Sequence, residues 1–331
     1  MKYRNWIGYL FVSFITLLSC NTNKNLINTE NYADTPTISK INKSCDFELL
    51  MCMSALTTRA HKIVEKNGIT NIKLINMGFV DTKDKAIVDE EKLTKVIEDL
   101  FPDKTQKYIG MFDWEGKALE SLINLPQESK EYQRVYQEHI KAYKIAKKLR
   151  PKIKFGFYGM PTCDYWVRDD KWRKKNMKLI PLLKEFDILF PCIYDYYKDS
   201  NPNAGKERDH LYVKENVEIS IEIGKQLKKP IYPVIWHRWL NKDECDECLI
   251  PLEEFIPHIQ AALAASYKGG KIDGLVWWGE DKYYYTQKSN ALTREVSKKI
   301  NFETYEFEII ESYTRAIYKA FDNECAKTNT N

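Results

Sequence analysis

Three absences narrow this chain before any motif is read. It lacks a long hydrophobic run: its sustained apolar stretch, Trp6–Leu18, is too short to cross a bilayer as a helix, which takes about 20 residues. It lacks charge of one dominant sign, because 51 Lys and Arg against 47 Asp and Glu leave a formal +4. That balance gives no nucleic-acid footprint, although a mild basic excess is compatible with an anionic polysaccharide. It also lacks a GxGxxG after its first apolar strand, which argues against the dinucleotide-binding version of an open α/β sheet.

Metal ligands are sparse too. Cys245 and Cys248 form a CxxC, but only His237 lies near them in sequence, and a zinc site needs four ligands. Neither a metal nor a cofactor is expected. A local disulfide or plain thiols remain the readings of that CxxC.

The N-terminus carries an export signal. Lys2 and Arg4 precede the short apolar stretch, and Leu17-Leu18-Ser19-Cys20 follows it. A basic segment, a short apolar segment and a small-residue cleavage site make a signal peptide. The terminal Cys reads as a bacterial lipobox, with the Cys20 thiol the lipidation site. The expectation is an exported bacterial membrane lipoprotein, anchored through lipid, at the outer membrane or cell surface. Residues 1–20 are then the signal peptide. Residues 21–44, rich in Asn, Thr, Lys and Ser, form a flexible tether. Residues 45–325 are the folded domain, and the polar tail 326–331 is expected to fray. After Cys20 seven cysteines remain; export permits disulfides, and the odd count leaves at least one thiol unpaired within the chain.

Between tether and tail, short apolar runs alternate with amphipathic helical patterns. Strands are expected at 47–53, 72–79, 108–114, 153–158, 188–194, 231–236 and 272–278. A helix is expected over 129–149, with Tyr132, Val135, Tyr136, Ile140 and Tyr143 on one face and Pro151 beyond its end. Others cover 254–266 and 290–321, the last with a break near Asn301. Strands apolar throughout are buried on both faces. Seven strand–helix units point to an α/β fold, a TIM-like barrel of about seven parallel strands, (β/α)7.

In such barrels the active site sits at the C-terminal ends of the strands. There the chain places Asp113-Trp114-Glu115, Tyr158, Tyr194, Trp236-His237-Arg238-Trp239 and Trp277-Trp278. Alternate strand residues share a face, so Asp113 and Glu115 can both meet the barrel mouth while Trp114 turns into the wall. Two close carboxylates do not both ionise cheaply, and one is expected to stay protonated and serve as a general acid. An isolated Asp-x-Glu is more often a loop cap with a surface ion pair. Its position after an apolar strand, among aromatic strand ends, favours catalysis.

These residues resemble a known family. Met111–Glu115, the GFYGMP segment 156–161, the FPCIY segment 190–194 and the DGLVWWG segment 273–279 are similar to glycoside hydrolase family 56, the hyaluronidases, in order and approximate spacing. The resemblance spans roughly 45–300 at low overall identity, and it implies a seven-stranded parallel barrel. It makes Glu115 the proton donor and Asp113 the residue that orients the sugar's 2-acetamido group. No protein nucleophile is used: the acetamido carbonyl attacks the anomeric carbon, the substrate-assisted exception to the two-carboxylate scheme. Tyr194 would hydrogen-bond the acetamido carbonyl, and Trp278 would pack behind its methyl. Tyr158 joins the substrate-binding set.

The sixth strand departs from the family pattern. Trp239 stands where a second active-site Tyr is expected, His237 is a candidate for its polar role, and Arg238 is a candidate partner for a uronic carboxylate. A shift of one residue would exchange these assignments. The family is best known from animals and venoms, whereas the lipobox makes this chain bacterial. The expected function is therefore a retaining endo-β-N-acetylhexosaminidase acting on a hyaluronan- or chondroitin-like glycosaminoglycan. A chitinase-like glycosidase is the alternative, although Lys107 and Gly110 occupy the first two Asp positions of the chitinase DxxDxDxE pattern. A non-catalytic glycan-binding lipoprotein is the third reading, and it gives no reason to keep a proton donor.

Overall fold

The computed structural model describes residues 47–53, 55–240 and 247–329, with side chains through 327. The signal peptide, Cys20, the tether and Cys245 lie outside the described residues. No helix among the described residues is long and apolar enough to cross a membrane.

The strands in chain order are β1 (Glu48–Cys52), β2 (Thr70–Asn71), β3 (Lys73–Asn76), β4 (Ile109–Asp113), β5 (Lys154–Phe157), β6 (Val234–Trp236) and β7 (Gly274–Trp278). All ladders between them are parallel, in the orders β2-β1-β7-β6 and β3-β4-β5. Two joints connect these halves. β2 and β3 are separated by Ile72, whose N–H donates to Met51 O at 2.7 Å. On the other side, residues 187–193 stand between β5 and β6. Asp187 N–H donates to Phe155 O, Tyr232 N–H to Leu189 O, and Ile193 N–H to Val234 O. The path β1–β2/β3–β4–β5–(187–193)–β6–β7–β1 is a closed ring of seven strand positions.

Six of the seven expected strands are present, most of them shorter than the apolar runs that announced them, and the fifth, expected at 188–194, joins the ring through isolated bridges only. The second differs most: Met77–Val80 is a helical turn, capped by the Asn76 side chain, which accepts from Gly78 N at 2.9 Å. The capping Asn ends the strand where hydrophobicity alone would continue it.

The barrel interior is one buried cluster with period two. Leu50 and Cys52, Ile72, Met111, Ile188 and Phe190, Val234 and Trp236, and Val276 meet inside. β5 contributes Gly156, where a Cβ would lie 2.3 Å from Ile188 O and 2.9 Å from the Phe190 ring. That glycine lets residues 187–193 approach and gives Phe190 its space.

The long helix α5 (Lys130–Leu149) follows α1 (Thr58–Lys66), α2 (Met77–Val80), α3 (Glu90–Leu100) and α4 (Gly116–Asn124). It starts at Ser129, whose hydroxyl accepts from Tyr132 N, and it buries Tyr132, Val135, His139, Ile140, Ala142 and Ala146. Tyr136 and Tyr143 flank this face half-buried. The C-terminal pattern divides as expected into Asn290–Val296 and Phe302–Asn329. The last helix runs past Cys325 to Asn329. Glu324 pairs there with Lys271 at 2.7 Å and Lys327 at 3.6 Å, tying the last turns to the barrel.

Candidate active site

The site follows from strand parity. Asp113 shares its side of β4 with Met111, a barrel-interior residue, so its carboxylate projects into the mouth. Glu115 lies two residues on, just before α4, and its side chain makes no capping hydrogen bond. Trp114, of opposite parity, is 1% exposed and stacks on His139 at 4.5 Å. The His139 Nδ1 sits 2.9 Å from Val135 O, and burial lowers its pKa to about 4, so the ring is neutral at ordinary pH.

The turn after Glu115 is built for tightness. Gly116 has φ +55°, and a Cβ there would meet Asp84 Oδ1 at 2.7 Å. Asp84 in turn accepts from Lys117 N at 3.1 Å. A loop from the neighbouring strand thereby holds the carboxylate segment in place. That loop is wrapped around buried Asp81, which accepts from the backbone of Lys83, Lys85 and Ile87.

Asp113 and Glu115 are both half-buried, and among the described residues neither makes an ion pair. Burial raises the Asp113 carboxyl above its ordinary range. Glu115 is raised by burial first and then by the charge of Asp113. With that extra push, the last proton held by the pair belongs on Glu115. The mouth therefore contains one carboxyl suited to donate a proton and one suited to stay ionised beside it.

Aromatic groups enclose the pair. Tyr194 and Trp278 stack at 5.8 Å with 23° between planes, Trp236 meets Trp278 edge-on at 4.9 Å, and Tyr158 stands 6.0 Å from Tyr194. Burial first, then Cys192 and the charges of Asp113 and Glu115, raise the Tyr194 hydroxyl. Burial and then neighbouring groups, Glu115 among them, raise the Tyr158 hydroxyl. Asp113, Glu115, Tyr158, Tyr194 and Trp278, five of the expected site residues, thus share one mouth.

The remaining three do not join them. His237 has the parity of Ile235 and faces outward, 1% exposed. Its Nδ1 accepts from Trp277 Nε1 at 3.0 Å, and its Nε2 faces Asp281 at 3.2 Å. Arg238 is also 1% exposed. It makes a bidentate pair with Asp281, both bonds 2.8 Å, and reaches Glu295 at 3.0 Å, Glu247 O at 2.6 Å and the Tyr305 hydroxyl at 2.6 Å, using all five of its donors. A guanidinium so engaged has no donor left for a uronate, which corrects the expectation for Arg238, and His237 is corrected with it. Trp239 is 4% exposed under Lys198 and presents no face to the mouth.

Four mouth residues were given no role by the sequence reading, although Trp236 was placed at the rim. Cys192, a free thiol, accepts from the Tyr158 hydroxyl at 2.9 Å. Cys52 and Trp236 line the interior, and Tyr284 packs on Trp236 and Trp278. Parity offered the signal for three of them: Cys192 is two residues from Phe190 and from Tyr194, Cys52 is two from Leu50, and Trp236 is two from Val234. Tyr284 comes from a helix after the last strand, where period two says nothing.

No protein-family model matches the chain. Hyaluronidase Tab y 2.0101 of Tabanus yao is 25% identical over 144 residues, which are 40% of this chain and 37% of that protein. The chain thus spans little more than a third of that relative's length. The crystal structure of bee venom hyaluronidase matches with a TM-score of 0.56 at 15% identity, covering 83% of this chain and 99% of the other. The same venom enzyme in complex with a hyaluronic acid tetramer matches with a TM-score of 0.54 at 17% identity, over 76% and 97% of the two chains. At these identities the likeness is one of architecture: this chain is similar in fold to bee venom hyaluronidase, a parallel α/β barrel of the TIM type.

Proposed function

We propose that this protein is a glycoside hydrolase, a retaining endo-β-N-acetylhexosaminidase that cleaves a hyaluronan- or chondroitin-like glycosaminoglycan with the substrate's own 2-acetamido group as nucleophile. The observation that carries this reading is the unequal carboxylate pair in the mouth. Glu115 keeps its proton towards neutral pH, and Asp113, beside it, has no ion-pair partner among the described residues. The similarity to hyaluronidases, and to one that binds a hyaluronic acid tetramer, supports the substrate class.

Glu115 donates its proton to the glycosidic oxygen as the C1–O bond breaks. The acetamido oxygen attacks C1, while Asp113 accepts the amide N–H and holds the group in line. The Tyr194 hydroxyl donates to the acetamido oxygen, and Trp278 packs against its methyl. Water then opens the oxazolinium ring with Glu115, now a carboxylate, taking the water's proton. Two inversions give net retention. A retaining enzyme with its own nucleophile sets its two carboxyls about 5 Å apart across the bond; here the second carboxylate positions the nucleophile instead, so adjacency is no obstacle.

Export as a membrane lipoprotein belongs to the same proposal. The N-terminal pattern ending at Cys20 supports it, and lipid on that thiol would give the membrane contact. An oxidising compartment would permit disulfides among the remaining cysteines, while Cys52, Cys163 and Cys192 are free thiols.

A reducing-end assay on hyaluronan, chondroitin and chitin oligosaccharides tests the function. Wild type should release ends from at least one acetamido-bearing anionic polymer, and Glu115→Gln should release almost none. Turnover of chitin alone would move the assignment to a chitinase-like enzyme. Binding of polymer without turnover of any would make the protein a glycan-binding lipoprotein.

A further inference from the structure

An exposed aromatic patch on the same rim has no part in the chemistry above. Trp166 is 46% exposed and Val167 53% exposed, yet the loop that carries them is firmly built. Asp164 Oδ1 accepts from the backbone of both, at 2.8 and 2.7 Å. Asn216, fully buried, clasps the loop from both sides: Asp164 N donates to its Oδ1, and its Nδ2 donates to Asp164 O, each at 3.0 Å. Arg168 donates to Tyr165 O and pairs with Glu215. A loop held this tightly, with its largest apolar side chain turned to water, is preorganised to present that side chain.

What surrounds the indole selects an occupant. The Arg208 guanidinium lies over it at 5.0 Å, and among the described residues Arg208 makes no ion pair. An indole next to an unpaired cation offers apolar stacking for a sugar's C–H face and a donor fork for a carboxylate or sulfate. Packed aromatic side chains also link the patch to the mouth. Trp166 meets Tyr165 at 4.9 Å and Tyr197 at 5.4 Å, Tyr165 meets Tyr196 at 5.5 Å and Tyr212 at 5.0 Å, and the Tyr212 hydroxyl lies 3.4 Å from Cys192 O. Cys192 is the partner of Tyr158 at the site.

We propose that Trp166 and Arg208 form an outlying sugar subsite that holds an anionic residue of the polymer beyond the cleaved linkage. This rests on the glycosidase reading and deepens it: the subsite would favour long, charged chains over short or neutral ones.

Steady-state kinetics on high-molecular-weight hyaluronan and on a hyaluronan tetrasaccharide test the subsite. Trp166→Ala should raise KM for the polymer about five- to tenfold with kcat retained, leave the tetrasaccharide unaffected, and be largely rescued by Trp166→Phe. Arg208→Gln should raise KM for hyaluronan and not for chitin oligosaccharides. An unchanged polymer KM in both variants overturns the proposal, as does an equal loss on polymer and tetrasaccharide. Affinity electrophoresis of Glu115→Gln through gels containing hyaluronan separates the two readings. If the wild type cleaves nothing but its Glu115→Gln form is retarded, and adding Trp166→Ala abolishes the retardation, the subsite stands while the catalytic assignment falls. A Glu115→Gln form that is not retarded overturns both, and retardation that survives Trp166→Ala leaves the patch to a protein partner and overturns the subsite.

Discussion

Two clusters of charge stand at the C-terminal ends of β4 and β6, and they are built in opposite ways. Around Arg238 every carboxylate is answered. Against the cost of burial, the Arg238 charge and the hydrogen bonds from Arg238 and His237 hold Asp281 well below the usual carboxylate range, and Glu295 and Tyr305 complete the network. Around Glu115 nothing answers: two carboxylates share a half-buried mouth with hydroxyls, a thiol and aromatic rings. The first arrangement minimises free energy and anchors the helices that follow β7 to the barrel. The second leaves carboxyls in an unfavourable state that only an incoming group can relieve, the signature of a site arranged for proton transfer.

The largest expected effect lies in the mouth. Glu115→Gln should lower turnover by roughly 10²–10⁴, the usual worth of a general acid, without loss of stability. Asp113→Asn should fall as far, and leaving-group dependence tells the two apart. An aryl glycoside with an acidic phenol needs no protonation, so it should rescue Glu115→Gln and leave Asp113→Asn slow. Equal rescue of both would mean that Asp113 also acts as an acid. Rescue of neither would remove Glu115 from the role of donor.

Next comes the paired cluster. Arg238→Met leaves Asp281 and Glu295 buried without their cation, which should cost about 3–5 kcal/mol in urea denaturation. Specific activity of the folded fraction should change little, since none of these groups faces the mouth. A variant as stable as wild type but inactive would return Arg238 to the substrate.

The contrast between these clusters also marks what the sequence could disclose. Seven apolar runs announced seven strand positions, and the rim rule put Asp113, Glu115, Tyr158, Tyr194 and Trp278 in one mouth, because parity and strand ends are local properties. His237 and Arg238 were misplaced by the same rule. Both stand at the end of a strand, and only the distant partners Asp281, Glu295 and Tyr305 reveal that they are committed elsewhere. His139 was unreadable for a related reason: a histidine on a helix looks solvated until Trp114, from another element, is laid on it. Capping by Asn76 ended a strand that hydrophobicity continued. Apart from Asn76, whose partner Gly78 is local, each of these misses involves a polar group whose partner is remote in sequence.

Stability against pH sharpens the same comparison at smaller scale. Folding raises the Glu115 pKa above its ordinary 4.5, so the folded protein holds that proton longer than the unfolded chain. The stability this confers is complete below pH 4.5 and is lost as pH rises through the raised value, at up to about 1.4 kcal/mol per pH unit. Asp281 runs the other way. Its pKa falls on folding from 3.8, so its contribution is present above that pH and is lost on acidification. Urea titrations across pH 2 to 9 should show the alkaline decline flattened in Glu115→Gln and the acid decline flattened in Asp281→Asn. An unaltered alkaline limb in Glu115→Gln would mean that the carboxylate is solvated in the folded state.

The smallest effect is expected at Cys192. Its thiol accepts the Tyr158 hydroxyl bond at 2.9 Å, and Cys192→Ala removes that acceptor. A fully buried hydroxyl left without a partner costs about 1–3 kcal/mol. Tyr158 is half-buried on the open side of the mouth, so its hydroxyl can turn to water or to a bound sugar, and the loss should stay at or below about 1 kcal/mol. Cys192→Ser, which keeps an acceptor, should cost less still. The outcome bears directly on the contrast between the clusters: groups in a substrate site are bonded sparingly so that a ligand can replace their partners. A loss at Cys192 as large as that at Arg238 would mean that the mouth is held together like the ion network, and the distinction between the two would fail.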